Sequence, residues 1–181
     1  MPENAQESER RARCKMKQAI VILLGKSKEI ELIRKKYDPF YKKIENHISL
    51  VFPFENVNQK VLSEHINKSI SGIKPFKLAL RGIKKSQKDF YLYLLADKGK
   101  KTILKLHKHF YSSFLAKWLK KDIPYIPHLT LGIFKTKTQI DNAVKELKNK
   151  KIRFDAKIDS IYLLTLKKDL SIKSLKRFRL S

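Results

Sequence analysis

The chain has 181 residues, 42% of them hydrophobic, and a formal net charge of +25. This length suits one ordinary domain, the apolar content excludes wholesale disorder, and no apolar run reaches the roughly 18 residues of a membrane-spanning helix. The single cysteine, Cys14, excludes an intrachain disulfide framework and a cysteine-built metal site.

Met1 to Lys17 is polar and mixed in charge. It reads as a flexible tail ahead of a single bilobal domain over residues 18–181. It lacks the apolar stretch of a secretory signal, so a cytoplasmic location is expected. Gln18 to Gly25 predicts a buried strand, short and β-branched. Ser27 is placed to cap a helix with Ile30, Ile33 and Tyr37 on one face, ended by Pro39. His47 to Phe54 predicts a strand stopped around Pro53. Asn58 is placed to cap a helix carrying Val61, Leu62, His65, Ile66 and Ile70. Phe76 to Ile83 and Asp89 to Ala96 predict an antiparallel pair around a turn at Lys84 to Lys88. Lys101 to Leu119 is the longest helical stretch. His128 to Phe134 predicts another strand, Thr138 a capped helix through Leu147, Phe154 to Leu166 more strand, and Ser171 to Leu180 a last one. A unit of strand, helix, then strands thus occurs twice, which predicts two α+β lobes packed as one body.

Each copy opens on a histidine. His47-Ile48-Ser49-Leu50 and His128-Leu129-Thr130-Leu131 share one pattern of histidine, aliphatic, hydroxyl, aliphatic. Side chains alternate faces along a strand, so imidazole and hydroxyl share one face and the two aliphatics the other. The polar face can line a groove while the aliphatic face packs under helices. By average residue usage, two such tetrads among five histidines arise by chance about 2% of the time. The chemistry suits the pair. Histidine is the side chain whose ordinary pKa serves as both acid and base near neutrality. The hydroxyls of Ser49 and Thr130 can donate to the charge that develops on a phosphate.

With these tetrads the sequence resembles the two-histidine (2H) phosphoesterase superfamily, which includes the 2′-5′ RNA ligase-like proteins and carries two His-x-Thr/Ser-x motifs. The second motif here sits in Ile126-Pro127-His128-Leu129-Thr130-Leu131-Gly132, with the proline typical of that family. Ser49 departs from the commoner threonine, keeping the hydroxyl and losing a methyl. The resemblance spans roughly Gln18 to Leu180. It implies an α+β, bilobal, pseudo-twofold fold with two antiparallel sheets lining a central cleft and helices on the outer faces. It implies hydrolysis of RNA 2′,3′-cyclic phosphates to 2′-phosphates, with His47 as proton donor and His128 as proton acceptor.

The remaining candidates have weaker grounds. His65 lies on an apolar helix face and reads as a packed histidine. His107 and His109 are two apart, which on a helix turns them away from each other. Phe110, Tyr111, Phe114 and Trp118 read as core. Tyr125 can stack a base at the cleft rim or serve as loop packing. Lys77 and Arg81 sit at alternate positions of one strand, where they can clamp phosphates or stay solvated. Lys145 to Arg153 reads as a solvated helix end.

No cofactor or metal is expected, since there is no cysteine cluster and no helical His-Glu-x-x-His pattern. The charge points to RNA or an RNA-derived nucleotide as partner, acting on a monomer without membrane insertion. Two function classes stand: a metal-independent phosphoesterase, and a basic RNA-binding module on the same fold with little turnover. Paired imidazoles favour the enzyme, because binding alone does not require them.

Overall fold

The computed structural model describes residues 17–55, 57–86 and 89–181. The tail and Cys14 therefore lie outside the described residues, and Lys17 already belongs to the first strand. Among the described residues eight strands and four α-helices follow: β1 (Lys17–Leu23), α1 (Lys28–Tyr37), β2 (His47–Glu55), α2 (Gln59–Ile70), β3 (Phe76–Lys85), β4 (Tyr91–Ala96), α3 (Lys100–Phe110), β5 (His128–Ile133), α4 (Lys137–Leu147), β6 (Arg153–Ile158), β7 (Ser160–Leu166) and β8 (Ile172–Arg179).

The strands form two four-stranded antiparallel sheets. Sheet A has the order β2-β1-β7-β8 and sheet B the order β5-β4-β3-β6. The lobes are therefore not the two successive halves of the chain. The apolar run from Phe154 to Leu166 divides at Asp159: β6 stays in sheet B, while β7 returns to pair with β1, Ile20 opposite Leu163. The fold is the expected α+β arrangement of two antiparallel sheets about a cleft.

The helices join the sheets. α1 packs on β5, and α3 packs on β2 and on α2. The main core holds Ile20, Ile48, Leu50, Leu80, Leu94, Leu106 and Leu131, so it draws on both sheets and their helices. Gly132 allows α1 to approach β5, because a Cβ there would lie 2.7 Å from that of Tyr37. Tyr37 then reaches Glu146 of α4 with its hydroxyl, 2.6 Å away, and Lys36 joins the same carboxylate.

Several local expectations are corrected. Ser27 occupies the N-cap of α1 without a side-chain hydrogen bond. Thr136, not Thr138, caps α4, its hydroxyl accepting from the Gln139 amide. Asn58 does cap α2, accepting from Lys60 and Val61, but Val61 faces solvent. β2 continues through Pro53, which sits on an edge strand where the register with β1 shifts between Val51 and Phe54, the places in a sheet that tolerate a proline. β3 runs on to Lys85, and Gln87 and Lys88 of the turn lie outside the described residues. The stretch from Lys101 to Leu119 is broken after Phe110, and only a short 3-10 turn, Phe114–Trp118, follows. Between Leu80 and Ile83 the pairing of β3 with β4 shifts, and Gly82 there takes φ of +75°, a conformation L side chains resist.

Candidate active site

β2 and β5 are edge strands of different sheets, and they lie side by side. The two tetrads follow the alternation expected of them. Ile48, Leu50, Leu129 and Leu131 are buried in the core. His47, Ser49, His128 and Thr130 are half-buried and line a single cavity of about 420 Å³. Phe52, Tyr91, Tyr93, Tyr125 and Lys120 contribute further walls.

The two histidines are held by the same device. His47 donates from Nδ1 to the carbonyl of Glu45 at 2.7 Å, and His128 from Nδ1 to the carbonyl of Ile126 at 2.6 Å. A carbonyl can only accept, so Nδ1 carries the proton in both rings, and Nε2 of the neutral form is left as a proton acceptor. Burial pushes the His128 pKa down to about 4, against the pull of the Ile126 carbonyl, and the neighbouring His47 lowers it further. Burial also lowers His47; the Glu45 carbonyl opposes this, Arg34 adds to it and Asp38 opposes it. Both rings are therefore neutral at pH 7.

Behind His47 lies a buried polar cluster that sequence reasoning missed. Arg34, only 3% exposed, bonds Asp38 through Nε (2.9 Å) and Nη2 (2.7 Å). Its Nη1 donates to Asn46 Oδ1 at 2.8 Å and its Nη2 to the Ile44 carbonyl at 2.9 Å. Asn46 in turn donates to the carbonyl of Gly25. The guanidinium fork thus fixes residues 44 to 46, the segment whose Glu45 carbonyl orients His47. One signal was available: an arginine in the middle of an apolar helix face, four residues before an aspartate.

Behind His128 lies Tyr93, its ring centroid 3.7 Å from the imidazole. Tyr91 and Tyr93 alternate with the buried Leu92 and Leu94, a period-2 pattern that assigns both tyrosines to the cleft face.

The other expected residues divide. Tyr125 lines the cavity, but its ring stacks on His107 and its hydroxyl bonds the Ser49 carbonyl. Lys77 and Arg81 are not among the cavity-lining residues; Arg81 is held by both oxygens of Asp155 and by the Phe154 carbonyl. His65 packs against Phe114 and bonds the Phe110 carbonyl, and His109 bonds that of Ser69. Among the described residues no three His, Cys, Asp or Glu side chains cluster as metal ligands would, and no helix is long and apolar enough to cross a membrane.

A family model described as the 2′-5′ RNA ligase superfamily matches residues 24–170. A protein of Geobacillus sp. (strain WCH70) named "Putative phosphoesterase" is 24% identical over 133 residues, 72% of this chain and 76% of its own length. One of the same name from Bacillus cereus (strain ATCC 10987 / NRS 248) is 26% identical over 154 residues, 82% of this chain and 88% of its own. Among solved structures, E. coli LigT complexed with 3′-AMP superposes with a TM-score of 0.60 at 16% identity, covering 92% of this chain and 99% of that one. E. coli LigT complexed with ATP gives 0.51 at 13% identity, covering 92% and 96%. At these identities the structural likeness speaks for the fold.

Proposed function

This chain belongs to the 2′-5′ RNA ligase superfamily, and from that premise we propose that it is a phosphoesterase hydrolysing 2′,3′-cyclic phosphates at RNA ends or on RNA-derived nucleotides. The observation that carries the reading is the meeting of both tetrads in one cavity, each histidine presenting Nε2 as its free nitrogen. Related proteins named as phosphoesterases, and a fold neighbour complexed with 3′-AMP, support the same substrate class.

In this reaction Nε2 of His128 takes a proton from water, whose oxygen attacks phosphorus. The bond from phosphorus to the 3′ oxygen breaks, and Nε2–H of His47 protonates that oxygen, leaving a 2′-phosphate. The lowered pKa of His128 keeps it neutral and ready to accept. The negative charge of a bound phosphodiester favours the protonated form of His47 that the donor role requires. Ser49 and Thr130 donate to the non-bridging oxygens as charge develops there. We read residues 18–181 as one bilobal domain acting as a cytoplasmic monomer.

The test is hydrolysis of nucleoside 2′,3′-cyclic phosphates in EDTA. Turnover giving the 2′-phosphate is expected. Binding of RNA ends without turnover would favour the other reading, a basic RNA-binding module. Loss of activity in EDTA with recovery on adding a divalent metal would overturn the two-histidine mechanism.

A further inference from the structure

The cleft face of sheet B continues past the cavity. His128 and Thr130 on β5 are register partners of Leu95 and Tyr93 on β4. Tyr93 is in turn opposite Lys84 on β3. Directly opposed residues in an antiparallel pair share a face. Leu78, Leu80 and Ile83 of β3 turn toward the core, which leaves Lys77, Arg81 and Lys84 on the cleft face.

The next strand repeats the charge. Lys77 is opposite Lys157 of β6 and Arg81 is opposite Arg153, with Asp155 between them. Like charges placed directly opposite destabilise a sheet. A lysine-rich composition does not account for this, because the chain has only eight arginines and two of them face each other here. Asp155 offsets Arg81. Lys77, Arg153 and Lys157 are exposed and make no ion pair among the described residues.

The corresponding face of sheet A is apolar next to the cavity, and its arginines, Arg177 opposite Tyr162 and Arg179 opposite Ser160, lie beyond that apolar stretch on β8, with Arg177 paired to Asp159. In the apolar stretch Ala19, Val21, Leu164 and Leu166 are buried beneath Ile44 and Leu170. Lys43 closes the cover by donating to the Asp169 carbonyl at 2.7 Å. The cavity therefore runs on into a basic face on the sheet B side. With strands about 4.8 Å apart, β3 and β6 lie about 10 and 14 Å from the strand of His128.

We propose that this face is a track for single-stranded RNA, holding the phosphates on the 5′ side of the terminal nucleotide whose end group occupies the cavity. The track rests on the phosphoesterase reading and adds strand length to what the site recognises. Tyr91 and Tyr93 lie between cavity and charges, and basic residues interleaved with aromatic rings hold single strands without reading their sequence.

The experiment compares a nucleoside 2′,3′-cyclic phosphate with a short oligoribonucleotide ending in the same group, and reads binding of the labelled oligonucleotide separately by anisotropy. The wild type is expected to show the higher kcat/KM on the oligonucleotide. The Arg153→Glu/Lys157→Glu double variant is expected to weaken oligonucleotide binding about tenfold and flatten its log-log salt slope by about 0.7 for each lost phosphate contact, with mononucleotide turnover unchanged. Lys101→Glu/Lys105→Glu, the same charge change on the exposed side of α3, is the control and is expected to have little effect on either substrate.

Mononucleotide turnover without oligonucleotide preference, or equal losses in the two double variants, would overturn the track and leave the phosphoesterase standing. No turnover of either substrate would overturn the enzyme, and the anisotropy would still decide whether the face binds RNA. Displacement of the oligonucleotide by phosphatidylserine vesicles, but not by unlabelled RNA, would assign the face to a membrane surface and end the proposal.

Discussion

Tyr125 lies flat against His107, ring centroids 3.6 Å apart and planes 2° from parallel, and its hydroxyl donates to the Ser49 carbonyl 2.8 Å away. His107 donates to the carbonyl of Leu50 at 2.8 Å, and the amide of Phe52 donates to the Tyr111 hydroxyl at 3.2 Å. Three aromatic side chains thus grip β2 where its register with β1 shifts between Ser49 and Val51. Burial raises the Tyr125 pKa, so its hydroxyl stays protonated and remains a donor. Tyr125→Phe is expected to lower stability by about 1 kcal/mol, read by denaturant unfolding, and to reduce kcat more than it raises KM. If Tyr125 acted only by stacking a base, the phenylalanine variant would be silent and Tyr125→Ala would raise KM.

Replacing His47 or His128 by alanine is expected to lower kcat about 10²–10⁴-fold with the fold retained, since each side chain lines a cavity. The double variant should lose far less than the product of the singles, because acid and base act as one unit. Ser49→Ala and Thr130→Ala should each cost about 10²-fold. A substrate with a highly activated leaving group separates the roles. His47→Ala should recover on it and His128→Ala should not; the reverse pattern would exchange donor and acceptor.

The pH dependence follows from both imidazoles being depressed. A base at His128 must be neutral, which holds above about pH 4, and an acid at His47 must be protonated, which holds below a value lower than the ordinary 6.5. The kcat/KM profile should therefore be bell-shaped, with its optimum on the acid side of 6.5 and both limbs belonging to the coupled pair. In the complex the phosphate charge raises His47, so the basic limb of kcat should lie above that of kcat/KM. Stability carries the same sign. Between pH 6.5 and about 4 the unfolded chain takes up a proton at His128 that the native state refuses, so the melting temperature should fall as pH falls through that window. His128→Ala should flatten this dependence.

Arg34→Ala leaves Asp38 buried without its partner and frees the segment ahead of His47. Breaking a buried pair from one side costs about 3–5 kcal/mol. For a domain of this size that is a drop of about 10 °C in melting temperature, measurable by calorimetry. Arg34→Lys keeps the charge but lacks the planar fork that meets three acceptors, so it should recover only part of the loss.

The tetrads were legible because strand alternation is local: His47 and Ser49 share a face whatever surrounds them. The residues that set their environment were not, because their partners are distant in sequence. Nothing near His107 says that it will bond Leu50, or that Tyr125 will lie on it. Strand spacing sets Lys77 and Arg81 at alternate positions of one strand, but no local pattern places them opposite Lys157 and Arg153 rather than in the cavity. The break after Phe110 was hidden because Phe110, Phe114 and Trp118 keep the helical spacing of core residues while the chain leaves the α-helix between Phe110 and Phe114.

The passage of the chain through Asp159 also bears on how the protein comes to be folded. β1 and β2 are made first, but their sheet gains β7 and β8 only after sheet B has its last strand. The strand that carries His47 must therefore wait for the C-terminal end of the chain. Such sequence-distant pairing slows folding and leaves β1, with its apolar run from Ala19 to Leu23, short of a partner during synthesis. Shortening the chain before β7 would remove no residue of either tetrad, yet would leave the His47 strand without the sheet that supports it.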